Sequence, residues 1–353
     1  MAVRRVRGVR RSLITTALAL VAAAVVAAPA GACGGLVGEN GTIRLVRTTT
    51  LAAYHAGIER YVTSFAFTGE GKEVGSIVPL PAVPLTVERG GDWTLQRLER
   101  EVAPAVPEAA RFAASGAAED KAQVILETKI DALDITVIKG GGDAVGKWAL
   151  DHGFFLSPDA PEVLDFYARR SPIFMAARFD ATRAAALGQR SGDGTPIMVT
   201  MPTDRPWVPL RILGLGAKPD TRIQADVFLL TDHEPKLLAG GRGLTVGRSE
   251  PANASLLDDL RSDKGMGWVP SSMWFTHLPL NVAAGDLDYD LAISVAPNSL
   301  PRLTDAGIGA PDATVPRPTH DGFPVWPLPV GVVVAGVAFL VLRRSTRAGR
   351  VAS

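Results

Sequence analysis

Gly141 to Lys147 reads Gly-Gly-Asp-Ala-Val-Gly-Lys between a predicted strand and a predicted helix, close to the loop that cradles phosphates with backbone amides, a lysine and a magnesium-binding hydroxyl. Trp148 stands in the hydroxyl's place, and Asp143 would oppose the phosphates with a negative charge. The same residues make an ordinary glycine turn feeding a helix capped by Asp143, which is the expectation here. Asp286, Asp288 and Asp290 alternate with Leu287, Tyr289 and Leu291 as at the start of a calcium loop. Leu291 replaces the glycine such a loop needs at its bend, and Pro297 replaces its bidentate glutamate. The alternation therefore predicts an amphipathic strand with its acids in water. A calcium site assembled from several segments stays open.

Five histidines, His55, His152, His233, His277 and His320, include no pair at metal-ligand spacing. His233-Glu234 runs into Pro235, which would break a zinc-protease helix. No Gly-x-Ser-x-Gly elbow occurs, and Cys33 is the single cysteine. The sequence thus predicts no catalytic residues, no metal ligands and no cofactor. Asp204 and Arg205, in the loop Pro202 to Pro206, and Trp207 just after it form the candidate binding surface, with Trp268 and Trp274 as further aromatics near loops.

The two ends of the chain say where such a surface would face. Arg4, Arg5, Arg7, Arg10 and Arg11 precede an apolar run, Leu13 to Ala28, and Ala30 and Ala32 supply the small residues a signal peptidase requires. Residues 1–32 are read as a signal peptide, cleaved ahead of Cys33. The segment Ala30-Gly31-Ala32-Cys33 also approximates a lipobox, with alanine where leucine is usual. Phe323 to Leu342 is 20 residues without a charge. As a helix it covers about 30 Å, the thickness of a hydrocarbon core. Arg343, Arg344, Arg347 and Arg350 follow with no acid, which places residues 343–353 in the cytoplasm by the positive-inside rule. The expected partner of residues 323–342 is the lipid bilayer, and the expected location is the cell membrane, spanned once, with the body outside.

Setting aside those nine arginines leaves 28 basic against 36 acidic residues, a net charge of −8 on the body. A nucleic-acid partner is excluded on that ground. With one cysteine no internal disulfide can form, so a body of this size must be stabilised by its core.

The positioning elements follow from periodicity. Ile43 to Val78 reads as three antiparallel strands, with His55-Ala56-Gly57 as a hairpin turn and the segment Pro79 to Pro84 as a proline-rich exit. Asp92 is placed as the cap of a helix ending at Val102, and residues 104–121 as a mobile insertion. Ala132 to Ile138, helices around Val145 to Ala149 and Pro161 to Arg170, and Ile173 to Phe179 give strand, helix, helix, strand. That unit becomes a right-handed crossover if its strands are parallel. Further strands are expected at Ile197 to Met201, Trp207 to Leu213, Arg222 to Leu230 and Leu287 to Val295, and a short helix at Leu256 to Leu260. Residues 299–322, rich in proline and glycine, read as a stalk.

The fold class is therefore α+β, a strand-rich mixed or antiparallel sheet body over residues 33–298 with a few covering helices, plus one C-terminal transmembrane helix. Ala32-Cys33-Gly34-Gly35, the run Val78 to Pro84, the helix end Trp148 to Gly153 and Trp207-Val208-Pro209-Leu210-Arg211 together resemble a family of uncharacterised bacterial exported proteins, DUF2330, up to about Thr231. The resemblance implies an exported, often membrane-anchored domain, with further cysteines in many members, and carries no activity or catalytic residues. The function expected is a non-enzymatic binding or interaction module at the cell surface, with an envelope protein or glycan as partner. The alternatives are a cell-envelope hydrolase whose site is assembled from distant residues, and an accessory subunit of a membrane complex.

Overall fold

The computed structural model describes residues 35–38, 44–45, 48–64, 67–68, 73–103, 124–189, 194–239, 242–294 and 296–309. The signal segment with Ala30, Ala32 and Cys33, the insertion at 104–121 and the span at 323–342 lie outside them. No helix among the described residues is long and apolar enough to cross a membrane.

Two sheets face each other across one core. Gly35–Gly38 (β1) and Arg44–Leu45 (β2) precede Thr48–His55 (β3), Ile58–Ser64 (β4), Phe67–Thr68 (β5), Glu73–Pro79 (β6) and Thr86–Arg89 (β7). Val124–Ile130 (β8), Leu133–Lys139 (β9), Ile173–Asp180 (β10), Pro196–Pro202 (β11), Trp207–Val208 (β12) and Arg222–Thr231 (β13) come next. Leu237–Ala239 (β14), Arg248–Pro251 (β15), Trp274–Ala283 (β16) and Leu291–Ile293 (β17) complete the strands. One sheet has the order β15-β16-β13-β3-β4-β11-β7 and the other β1-β6-β10-β9-β8, with β12-β17-β14 and β2-β5 as smaller pieces. Pairing is antiparallel except between β13 and β3, so the large sheet is mixed.

Helices cover both outer faces. Thr94–Val102 (α1) and Ala254–Ser262 (α5) pack on the seven-stranded sheet through Leu95, Leu98, Leu256 and Leu260, which meet Leu51, Phe228 and Phe275. Gly142–Asp151 (α2) and Ala160–Ala168 (α3) cover the five-stranded sheet, where Trp148, Leu164 and Tyr167 meet Ile77 and Phe174. Ala181–Ala186 (α4) follows β10 directly. Between the sheets lies the largest core, with Val78, Val137 and Met175 from one side and Tyr61, Val199, Leu229 and Leu278 from the other. A fully buried side chain of this size stabilises by about 1.5–3 kcal/mol.

Several expectations change. The strand after Tyr61 does not continue the hairpin: β6 belongs to the second sheet, and Pro79 to Leu85 crosses between the two. Leu80 N–H donates to Ile173 O at one end of that crossing, and Leu85 N–H donates to Thr200 O at the other. Proline tolerates this corner because neither sheet needs its missing amide there. The strand-helix-helix-strand unit is not a crossover, since β9 and β10 are antiparallel neighbours. Two helices carry the chain out along the sheet and back, so it returns beside the strand it left. Trp207–Val208 is a strand of only two residues, and Leu291–Ile293 is three residues of the longer strand expected there.

The caps also move. Trp93, not Asp92, precedes α1, and its side chain does not cap. Asp263, just past α5, does so from a distance: its carboxylate accepts from the amides of Asp92 (3.0 Å) and Trp93 (3.0 Å) and from Thr94 Oγ1 (2.7 Å). Asp143 lies in the first turn of α2 without capping it. Residues 299–308, expected in the stalk, pack on the body through a 3₁₀ turn at Leu303–Ala306, and the compact unit ends at Ile308.

Candidate functional site

Three polar clusters stand out. The first gathers at the β3–β4 turn. Ala56 (φ 51°) and Gly57 (φ 80°) are both left-handed, the geometry of a two-residue hairpin loop that follows strand twist. His55 Nδ1 meets Asp232 Oδ1 at 2.5 Å, and Ala56 N–H donates to Asp232 Oδ2 at 3.2 Å. Tyr54 Oη donates to Thr203 O at 3.1 Å, and Thr203 N–H donates to Gly57 O at 3.2 Å. Three connections, after β3, β11 and β13, are thereby held as one surface. Asp204 is 88% exposed and Arg205 is 52% exposed on it.

Directly beneath lies Glu59. Its side chain shares a sheet face with Tyr61, whose ring is in the inter-sheet core, and it is fully buried with neither carboxyl oxygen hydrogen-bonded. Burial pushes its pKa up to about 8, so it is protonated at neutral pH. Tyr54 is raised as well, first by burial and then by the charges of Asp204, Glu59 and Asp232.

The second cluster surrounds Asp290, which is buried, not in water as its alternation with Leu287 and Tyr289 predicts. Its Oδ1 accepts from Tyr167 Oη (2.9 Å) and from the amides of Leu210 (2.6 Å) and Arg211 (3.0 Å). Its Oδ2 pairs with Arg170, whose Nη1 donates to Asp305 O at 2.7 Å. Trp207 belongs here: it is 4% exposed, stacks on Tyr167 with centroids 5.8 Å apart, and lies 4.4 Å from the Arg170 guanidinium. Tyr167 is held well above its ordinary pKa by burial and then by the Asp290 charge. This cluster spends its charges on pinning α3, β12 and residues 302–307 together. It therefore separates Trp207 from Asp204 and Arg205, the exposed part of the expected surface.

The third runs across the helix-covered face of the large sheet. Asp226 Oδ1 lies 2.8 Å from His277 Nε2, and Thr49, the neighbour of Asp226 on the adjacent strand, donates to Glu99 Oε1 at 2.5 Å. His277 stacks on Phe228 at 4.9 Å. An aspartate orienting an imidazole is the support half of an acid–base pair. Yet Thr49 is fully buried and gives its hydrogen to Glu99, so it is no nucleophile for His277. Asp226 and His277 are 51 positions apart and Thr49 and Glu99 are 50, which is why no motif announced them. No group of three or more metal-binding side chains occurs among the described residues. At the glycine-rich entry to α2, Gly141 faces open space, but a side chain at Gly142 would crowd Leu164 and Asp165 of α3 at 3.1 Å.

Fold and clusters together define a strand-rich α+β body of two packed sheets with helices on both outer faces. Residues 26–237 match the family described as an uncharacterized protein conserved in bacteria (DUF2330), and the chain belongs to that family. No curated protein matches it. Among solved structures it is similar to baculovirus P35, at 9% identity and a TM-score of 0.37 over 74% of this chain and 94% of that one. It is also similar to a chain of a caspase-8/P35 complex, at 9% identity and a TM-score of 0.33 over 71% of this chain and 91% of that one. Likeness at that level carries no functional argument.

Proposed function

We propose that the protein is an exported binding module held at the cell membrane by its C-terminal segment, with the β3–β4 turn surface as its contact region. The observation that carries this is the tying of three separate connections by Tyr54, His55, Thr203 and Asp232, which fixes a loop surface while leaving Asp204 and Arg205 exposed. Loops held rigid by a scaffold are where recognition residues concentrate. The tether rests on the charge-free run Phe323 to Leu342 and the arginines after it. An envelope protein or glycan is the partner this location offers.

Two measurements test the reading. Protease added to intact cells should degrade the body while sparing a membrane-embedded tail fragment, and deletion of residues 323–353 should release the body from the membrane fraction. Cross-linking of whole envelopes through Asp204→Cys should capture a partner that the Arg205→Ala form loses. A body protected from external protease, or no difference between the two forms, would refute it.

A hydrolase is the second reading, favoured by one observation, the Asp226–His277 pair. Replacing His277 with glutamine should then abolish an ester or amide hydrolysis that the wild-type protein performs.

A further inference from the structure

Arg60 follows Glu59 on β4 and points to the opposite face of the sheet, the side of Val62 and the helices. There its guanidinium lies 4.4 Å from the centroid of the Trp268 ring. Trp268 sits in the loop after α5, and that loop is held from below. Val269 N–H donates to Met266 O at 3.0 Å, and Arg261 donates to the carbonyls of Val269 (2.8 Å) and Pro270 (3.0 Å). The indole is a fixed platform and the arginine a cation laid on it.

Both groups point donors at no acceptor. Arg60 Nη1 and Trp268 Nε1 are buried and without a hydrogen-bond partner, and Arg60 has no ion pair among the described residues. Burial lowers its pKa, with no neighbouring carboxylate to raise it. Arg89, Arg97, Arg170, Arg183 and Arg248, by contrast, each meet a carboxylate. An unsatisfied buried donor costs about 1–3 kcal/mol, more when charged, so native proteins keep such groups where something else supplies the acceptor. Next to Arg60 across the strand pair is Thr200, half-buried, which adds a hydroxyl and no negative charge.

The geometry points to a carboxylate-binding site formed by Arg60 and Trp268 on the helix-covered side of the large sheet, where β4 lies beside β11. The guanidinium occupies a face of the indole, so a neutral sugar ring is denied that stacking surface. What the pair lacks is an anionic acceptor able to take two donors at once, which a carboxylate is. The acid can come from a small free carboxylate or from an acidic side chain of a protein partner. The inference deepens the binding reading above and rests on it only for the access of an external partner to this face.

Titration of the purified full-length protein in detergent, observed at the indole N–H resonances, tests it independently of cellular location. Acetate at constant ionic strength, with chloride as control, should give a saturable shift of the Trp268 resonance, assigned with Trp268→Phe. A blocked peptide carrying one glutamate should do the same and its glutamine counterpart should not. A peptide affinity about ten-fold or more above that of acetate identifies a protein side chain as the source, and equal affinities identify a free acid. Arg60→Gln should abolish the shift, and Arg60→Lys should weaken it because an ammonium lacks the planar fork. Equal, unsaturable drift in acetate and chloride, showing that the two donors hold only water, would overturn the proposal. So would a saturable shift that survives in Arg60→Gln. A failure here with release of the body by tail deletion leaves the tether reading standing.

Discussion

Glu59→Gln is the sharpest test of how the sheets are held together. The carboxyl lies in the inter-sheet core with no partner, and burial moves it from 4.5 to about 8. Between those values the folded protein holds a proton that the unfolded chain has released. Stability from this group is therefore complete below about pH 4.5 and lost as pH rises through 8, at up to about 1.4 kcal/mol per unit and about 5 kcal/mol in all. Above that range both states are ionised and the loss stops growing. Glutamine keeps the shape and cannot ionise, so the variant should match the wild type within about 1 kcal/mol near pH 5 and exceed it by several kcal/mol near pH 9. Urea unfolding followed by tryptophan fluorescence across that range gives both curves. The difference between them isolates Glu59 from every other titrating group. A difference constant to within about 0.5 kcal/mol would mean that the carboxyl is hydrated or paired in solution, and the account of the seam would fail.

Other substitutions probe the remaining contacts. Asp263→Ala removes the acceptor of two amides and a hydroxyl at the start of α1 and should cost about 2–4 kcal/mol in urea unfolding, with Asp263→Asn in between. Asp290→Ala strands the Arg170 charge in a buried site and should cost about 3–5 kcal/mol, enough to lower the melting temperature by many degrees. Ala56→Asn places a residue tolerant of left-handed backbone beside Gly57 and should raise stability by about 0.5–1 kcal/mol, read as a higher denaturant midpoint.

Much of the local structure was legible because it is set by local physics. His55-Ala56-Gly57 announced the hairpin turn, and the helices at 142–151, 160–168 and 254–262 follow from apolar spacing. The long strand Trp274–Ala283 is absent from the expected strands, and Pro279 sits opposite Asp226 within its antiparallel ladder. Strand faces were harder still. Both faces of β3 and most of β13 are buried, one by helices and one by the second sheet, so their runs do not alternate and carry no sign of which side faces which core.

The clusters were the least visible. Asp290 looked like a solvated acid because its neighbours alternate, and nothing near it in sequence predicts Tyr167 or Arg170, more than a hundred residues away. Trp207 looked available because it adjoins the polar loop holding Asp204 and Arg205, and it lies under Arg170 instead. Asp204 and Arg205 kept their exposure, since a polar loop between two strands stays on the surface whatever the topology.

By itself the sequence determined the charge layout, the family and the kind of elements, because these depend on residue types and on periods of two or 3.6 along the chain. Only the tertiary structure decided that β6 leaves the hairpin for a second sheet, that Asp263 caps a helix from 170 residues away, and that Glu59 and Arg60 are left unpaired on opposite faces of one strand. Those outcomes depend on which distant surfaces meet. Burial and hydrogen bonding are properties of that meeting, and no stretch of chain carries them alone.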